Sequence, residues 1–397
     1  MKQIHGGVTA APGFKAAGVH AGLKDSHQKD FAIILSDSLA TAAGVFTQNR
    51  VCAAPVTLCR DHIRNQVANA IVINSKNANA CTGHQGLEDA YSTAKLAGET
   101  LGVNSNSILV CSTGVIGQQL PMDIIENGIH LAVQMLDGDG SHDAAQAIMT
   151  TDIVPKEVAV EAKIDEHSII IGGMAKGSGM IAPNMATMLS FLTTDVNISP
   201  EILQTTLQTA TRKSFNRVTV DSDTSTNDTV LILANGVAEN PQITAHHQEF
   251  QNALDFVCIE LAKMIARDGE GATKLLEIVI NNARNENDGT LAARAVAESP
   301  LVKTAVFAND ANWGRIMMAI GKSGAEFDQS NVEVWIGDCQ IVKNGVDAGF
   351  DEQKATEQLN KDTANITIDL HSGHTSVTFW TCDYSYDYIK INAEYRT

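Results

Sequence analysis

A glycine- and proline-containing turn between two apolar runs constrains this chain more than any other stretch of its sequence. Residues 168–173 read SIIIGG, a short run rich in β-branched side chains that predicts a buried strand, and residues 188–192 are mostly apolar again. Between them, KGSGMIAPNMATML at 176–189 contains two glycines and Pro183, which mark an irregular backbone. The chain must therefore turn sharply at the head of a second element, where Thr187 stands as a candidate nucleophile.

The same turn resembles a phosphate-binding loop in its glycine spacing. Gly177, Gly179 and Ala182 follow a predicted strand and fit the G-x-G-x-x-A pattern of dinucleotide-binding proteins. That pattern needs a helix that begins inside the glycines, and Pro183 would remove a backbone donor there and clash with the preceding turn. We therefore do not expect a nucleotide site.

Composition and charge exclude several classes of function. The chain has 397 residues, of which 44% are hydrophobic, so it can bury a large core. Its net charge of −18 disfavours a nucleic acid or an anionic membrane as partner. The seven cysteines form no C-x-x-C pair, which favours reduced thiols and no structural zinc. With no signal-like N-terminus and no apolar run of about 18 residues, the sequence predicts a soluble, cytoplasmic protein without a metal site.

A second irregular turn follows the predicted strand that begins at Ser107. The strand ends in Ser112, Thr113 and Gly114, which would leave hydroxyl and amide donors pointing out of the turn. Donors of this kind are what an oxyanion hole requires. A simple strand-to-helix turn has the same composition, so the residues by themselves leave both interpretations open.

Three stretches together resemble one known family. The central string at 176–189, GFKAAGVHAGLK at 13–24 and SFNRVTVDSDTSTND at 214–228 resemble the ornithine acetyltransferase (glutamate N-acetyltransferase) family of arginine biosynthesis. Similar strings recur over nearly the whole chain. The resemblance implies an α/β fold, an αββα sandwich with mixed sheets between helical layers, of the self-cleaving N-terminal-nucleophile type.

The resemblance also implies that the chain cuts itself between Ala186 and Thr187. The products would be residues 1–186 and residues 187–397, assembled as two copies of each. The Thr187 hydroxyl would attack the Ala186 carbonyl, and water would hydrolyse the resulting ester and free the threonine α-amine. Such an amine has a reference pKa of about 7.7 to 8.0, so the nucleophile would carry its own base.

In the resembling family, this threonine takes an acetyl group from N-acetylornithine and passes it to glutamate. We therefore expect these two small molecules as substrates, with no cofactor, and leave open whether acetyl-CoA is also a donor. Both substrates carry a carboxylate, so a net-acidic protein needs a local cation, for which Lys176 is the candidate. The family roles that carry over are oxyanion stabilisation by Thr113 and Gly114, and substrate contacts at Thr150 (or Thr151), Thr187, Glu270, Asn392 and Thr397.

Two positions depart from the usual family strings in a way that concerns backbone geometry. Relatives often have glycine where this chain has Lys76, and they usually read DGD where it has Ser222 between two aspartates. Either departure puts the local turn geometry in question, since glycine adopts conformations that other residues avoid.

The remaining patterns predict ordinary elements. Helices are expected at 87–101, 200–213 and 246–267, strands at 31–37, 70–74 and 158–164, and a closing strand at 384–392, where Tyr, Ile and polar residues alternate. A self-cleaving amidase or aminopeptidase, in which water replaces glutamate as the acceptor, remains the alternative within the same class. A dinucleotide-dependent oxidoreductase and a non-catalytic binding protein are the alternatives from other classes.

Overall fold

The computed structural model describes residues 1–182 and 188–394, which form fifteen β-strands and eleven α-helices. The strands are β1 (Lys2–Ile4), β2 (Phe14–Val19), β3 (Phe31–Phe46), β4 (Val67–Asn74), β5 (Ile108–Ser112), β6 (Lys156–Ile164), β7 (His167–Lys176), β8 (Leu189–Thr194), β9 (Thr229–Ala234), β10 (Leu275–Ala283), β11 (Glu333–Ile336), β12 (Cys339–Lys343), β13 (Val346–Asp347), β14 (Thr363–Asp369) and β15 (Thr375–Cys382). The helices are α1 (Ala54–His62), α2 (Gly83–Leu101), α3 (Met122–Gln134), α4 (Ser141–Ala147), α5 (Pro200–Lys213), α6 (Gln248–Arg267), α7 (Glu286–Ala297), α8 (Pro300–Phe307), α9 (Trp313–Gly321), α10 (Glu352–Leu359) and α11 (Tyr386–Glu394).

The larger sheet has nine strands in the order β1-β6-β7-β8-β9-β3-β4-β5, with β2 paired to β3. Strand β3 is long enough to pair with β2 through its first half and with β9 through its second half. The β4–β5 and β8–β9 pairs are parallel, whereas β6–β7 and β7–β8 are antiparallel, so the sheet is mixed. The predicted site turns lie at the carboxyl ends of β5 and β7 and at the amino end of β8.

Helices cover both faces of this sheet because its strands are apolar on both sides. Along β9, Leu231 and Leu233 belong to the core beneath α1 to α4, whereas Val230 and Ile232 belong to the core beneath α5 and α6. A strand buried on both faces reads as a continuous apolar run, which is why residues 229–234 read TVLILA.

The smaller sheet has six strands in the order β13-β12-β11-β14-β10-β15, and its own core packs against α7, α9 and α10. Helix α6 contacts β6 and β7 of the larger sheet and β10 and β15 of the smaller one. The expected mixed α/β fold, with two sheets and helical layers, is confirmed. Within the described ranges, none of the helices has the length and apolar character needed to cross a bilayer.

Most of the predicted elements are confirmed, and one is wrong. The helix expected at 87–101 is α2, and Gly102 ends it in the left-handed conformation at φ 71°. The closing strand expected at 384–392 is instead helix α11. The Ser385 hydroxyl accepts a hydrogen bond from the Asp387 N–H at 3.1 Å, and the rings of Tyr384 and Tyr388 stack with centroids 4.8 Å apart. A serine hydroxyl that accepts the N–H two residues further on caps a helix N-terminus, and this cap outweighs the two-residue alternation.

Candidate active site

The predicted site residues that lie in the described part of the chain converge on one cleft. Six of them line one cavity of about 210 Å³ that is open to solvent. They are Thr113, Gly114, Thr150, Lys176, Glu270 and Asn392. Thr151, the alternative to Thr150, lines the same cavity. Ala186, Thr187 and Thr397 lie outside the described residues.

The turn after β5 presents two donors that have no acceptor among the described residues. Its backbone is fixed by hydrogen bonds from the Thr113 N–H to the Asn74 carbonyl at 3.0 Å and from the Val115 N–H to the Lys76 carbonyl at 2.9 Å. Gly114, between them, has φ +133°, and a Cβ there would lie 2.1 Å from the Lys76 carbonyl carbon. Only glycine fits this position. Within the described chain, the Thr113 hydroxyl and the Gly114 N–H both remain unpaired, as an oxyanion hole requires.

Lys76 and Ser222, the two residues that depart from the family strings, have backbone conformations of the kind that glycine adopts. Lys76 has φ 79° and Ser222 has φ 69°, both in the left-handed region. A residue with a Cβ pays about 1 to 2 kcal/mol in that region. The turn geometry is therefore retained at both positions, with side chains that carry conformational strain.

Lys176 provides a buried cation at the end of β7. Its Nζ donates to the Thr150 Oγ1 at 2.7 Å and lies 3.7 Å from Asp152 Oδ2. Burial lowers the pKa of Lys176, while the nearby Asp152 carboxylate opposes that shift. The structure thus pairs Lys176 with Thr150 rather than with its neighbour Thr151.

Asp152 joins Lys176 to a second buried lysine. Its Oδ1 accepts from Lys156 Nζ at 2.7 Å and from the Gly177 N–H at 2.7 Å, and its Oδ2 accepts from the Thr150 N–H at 3.0 Å. Lys156 also contacts Asp268 at 2.6 Å. Although burial opposes ionisation, Lys176 and Lys156 hold the pKa of Asp152 well below its usual range. This carboxylate therefore remains charged and fixes the backbone that carries Thr150.

Glu270 provides a buried carboxyl group to the same cleft. It lies on the turn after α6, and its N–H donates to the Ser178 carbonyl at 3.0 Å. Its carboxylate accepts from the Asn392 Nδ2 at 2.8 Å. A Cβ on Gly179 would lie 2.3 Å from the Glu270 carboxyl carbon, so this glycine leaves room for the side chain.

The sequence interpretation missed three aspartates around this cleft. Asp152 directly follows Thr150 and Thr151, Asp221 lines the cavity, and Asp228 lies beside Thr113 and Lys176 in a small adjoining cavity. The acid-rich string at 218–228 predicts a loop that is solvated or lines the site. Asp228 is instead 1% exposed, and its burial could not be read from an acid-rich string.

A buried lysine and a buried glutamate line the same cleft, and two donors without an acceptor among the described residues lie on the turn that follows β5. An α/β protein with this arrangement is an enzyme, of the class that binds a small charged substrate and stabilises an oxyanion.

Comparisons with known proteins give the family. The ArgJ family model matches residues 15–397. The arginine biosynthesis bifunctional protein ArgJ of Symbiobacterium thermophilum is 51% identical over 402 aligned residues and 100% of both chains. The protein of the same name from Caldanaerobacter subterraneus subsp. tengcongensis is 48% identical, again over 100% of both chains. The chain belongs to the ArgJ family.

One solved structure also matches part of the chain. The crystal structure of the arginine biosynthesis bifunctional protein ArgJ from Bacillus halodurans is 45% identical, with a TM-score of 0.50. The match covers 51% of this chain and 97% of that one. Family membership makes the protein an enzyme of arginine biosynthesis, and it supports acetyl transfer over the amidase alternative.

Proposed function

We propose that this protein cuts its own chain between Ala186 and Thr187 and then uses Thr187 to move an acetyl group from N-acetylornithine to glutamate. The observation that carries the proposal is the unpaired pair of donors at Thr113 and Gly114. Met188, the residue that follows Thr187 in the sequence, lines one small cavity together with Thr113 and Lys176. The described end of the second fragment therefore lies beside these donors.

The transfer consists of two half-reactions at one site. In the first, the Thr187 hydroxyl attacks the acetyl carbonyl, its proton passes to the α-amine of Thr187, and the negative charge develops on the carbonyl oxygen. The Thr113 hydroxyl and the Gly114 N–H stabilise that oxygen. The C–N bond then breaks, ornithine leaves with a proton on its nitrogen, and the acetyl group remains as an ester of Thr187. In the second half-reaction, the amine of glutamate attacks this ester, the bond between the acetyl carbon and the Thr187 oxygen breaks, and a proton from the glutamate amine restores the Thr187 hydroxyl as N-acetylglutamate leaves.

The charges of the cleft suit both substrates. Lys176 provides a cation for the carboxylate that N-acetylornithine and glutamate share. The Glu270 carboxylate, held by Asn392 at 2.8 Å, provides an acceptor for the side-chain ammonium of N-acetylornithine. Asn392 lines the cleft from helix α11, and Thr397, which lies outside the described residues, is proposed as a further substrate contact. The chemistry as proposed needs no cofactor, and acetyl-CoA is a further donor to be tested.

The length of a solved relative supports the cut. The Bacillus halodurans chain is covered over 97% of its length by 51% of this chain, so it is about half as long. One fragment of a cut protein would have that length. We further propose that two copies of residues 1–186 and two copies of residues 187–397 assemble in the cytoplasm.

One experiment tests the proposal. The purified protein is examined by mass spectrometry and assayed with N-acetylornithine in the presence and absence of glutamate. We expect two fragments that end at Ala186 and begin at Thr187, and N-acetylglutamate formed only with glutamate present. Thr187→Ala should remain uncut and inactive, whereas Thr187→Ser keeps the hydroxyl and should still be cut. An intact chain that transfers acetyl at full rate would exclude the mechanism, and acetate formed at the same rate without glutamate would favour the amidase.

A further inference from the structure

One segment of the chain holds both described flanks of residues 183–187. On the upstream side, Asp221 Oδ2 accepts from the Met180 N–H at 2.6 Å and Asp221 Oδ1 accepts from the Ile181 N–H at 2.8 Å. On the downstream side, Asp228 Oδ1 accepts from the Met188 N–H at 3.2 Å. The two aspartates are seven positions apart in the sequence.

Backbone hydrogen bonds from the same segment complete the attachment. The Ile181 carbonyl accepts from the Val220 N–H at 2.8 Å. The Met188 carbonyl accepts from the Thr229 N–H at 3.1 Å. Each flank is therefore held through both an N–H and a C=O group, so neither can shift without breaking bonds to the segment that carries Asp221 and Asp228.

The upstream flank has an unfavourable backbone that needs such support. Met180 has φ 57°, in the left-handed region, although it carries a long side chain. Residues kept in this region are strained, and they persist only where the surroundings over-determine them. The short bond from Met180 to Asp221 is part of what fixes this conformation.

The downstream flank has an unusual buried carboxylate. Asp228 is 1% exposed, and its second oxygen, Oδ2, has no hydrogen-bond partner among the described residues. An unsatisfied buried polar atom is costly, and burial raises the pKa of Asp228 well above its usual range. Asp228 lies in the small cavity with Thr113, Lys176 and Met188, which places this carboxylate next to the oxyanion turn.

We propose that Asp221 and Asp228 are positioning residues for self-cleavage, which hold the two flanks of the cleavage segment at a fixed separation beside Thr113. The inference rests on the proposed function, because it assigns the two aspartates to the cut between Ala186 and Thr187. Neither aspartate exchanges a proton or forms a bond in the step. They act through the N–H groups of Met180, Ile181 and Met188.

The test measures cleavage directly in the full chain. Wild type, Asp221→Asn and Asp228→Leu are made by cell-free translation, and the cut fraction is followed with time by mass spectrometry. At position 221 both oxygens accept, and asparagine keeps the shape of the side chain but replaces one of them by a donor. At position 228 only Oδ1 accepts, and leucine removes that acceptor. Asp195→Asn is the matched control, since Asp195 accepts the Ile170 N–H at 2.8 Å in the same sheet but lies at the far end of β8.

We expect cleavage to slow by at least about tenfold in both variants and to stay within about twofold of wild type in the control. Melting temperatures of the two variants should match that of the control. Asp221→Glu and Asp228→Glu keep the carboxyl group and both of its oxygens but move them by one methylene, and they should also slow the cut. Wild-type cleavage rates in all four variants would overturn the proposal. Slow cleavage accompanied by melting well below the control would reduce both aspartates to structural residues. A wild-type chain that stays intact would instead remove the proposed cut itself.

Discussion

The side-chain amide of Asn392 donates a 2.8 Å hydrogen bond to the carboxylate of Glu270, and this bond ties helix α11 to the turn after α6. The two residues are 122 positions apart in the sequence. A second bond from the Ser385 hydroxyl to the Gly271 carbonyl connects the same two elements. The carboxyl-terminal helix is therefore a wall of the cleft, and its integrity should matter for substrate binding.

Deleting residues 392–397 should spare folding and self-cleavage but weaken acetyl transfer. The deletion removes the donor that orients the Glu270 carboxylate, and a hydrogen bond to a charged group is worth about 1.5 to 3 kcal/mol. At 1.4 kcal/mol per tenfold, transfer efficiency should fall roughly 10- to 150-fold. Lys390→Ala, on the exposed side of α11, is the control. If the truncated protein transfers acetyl within about twofold of the full chain, the tail is not part of the site.

Replacing Thr113 by alanine should lower the turnover number by on the order of 10²-fold or more, with little change in the Michaelis constant. The reason is that its hydroxyl is needed only when charge develops on the acetyl oxygen. Thr113→Ser keeps the hydroxyl and should retain most of the activity. Steady-state kinetics with N-acetylornithine measures the turnover number and the Michaelis constant. A raised Michaelis constant at an unchanged turnover number would make Thr113 a ground-state contact instead.

Lys76→Gly should stabilise the protein, because it relieves the left-handed conformation of Lys76 at φ 79°. The substitution removes about 1 to 2 kcal/mol of strain, and the greater freedom of glycine in the unfolded chain offsets part of this gain. We expect a net gain of about 0.5 to 1 kcal/mol in the free energy of unfolding, measured by urea titration. Lys163→Gly, on an exposed position of strand β6, should instead destabilise. A loss of stability in Lys76→Gly would show that its side chain outweighs the strain.

The pH dependence of stability should differ between wild type and Asp221→Asn. Burial raises the pKa of Asp221 to about 6. The folded protein therefore binds this proton more tightly than the unfolded chain, and stability falls as the pH rises from about 4 to about 6. Asparagine does not titrate, so the wild type should lose about 1 to 3 kcal/mol relative to the variant over this range, the lower figure allowing for partial exposure. Calorimetric unfolding at several pH values measures the difference in stability between the wild type and the variant. Other titrating groups, such as Asp152, contribute equally to both proteins and cancel. Parallel pH curves for the two proteins would contradict the raised pKa.

The sequence predicted those features that depend on local pattern. Gly102 follows the periodic run at 87–101 and indicates the end of α2, and the glycines on either side of Glu270 indicate a turn. The two-residue alternation at 384–392 gave a wrong prediction of a strand, because capping by Ser385 and packing across the cleft stabilise helix α11. The role of Asp152 could not be predicted at all, since its network reaches Asp268 through Lys156, a contact between residues 112 positions apart.

The strand order of the larger sheet gives the proposed cut a consequence for assembly. Residues 1–186 contain β1 to β7, and residues 187–397 contain β8 and β9, which lie between β7 and β3 in the sheet. The two products would thus interlock within one sheet, and neither could leave without breaking backbone ladders on both sides of the β8–β9 pair. Before the cut, folding is a unimolecular process. Afterwards, an unfolded molecule could recover only by a bimolecular encounter of two chains, so the rate of refolding would depend on concentration. The cut would therefore fix the order of folding and cleavage, because the chain must fold first, while it is still one molecule.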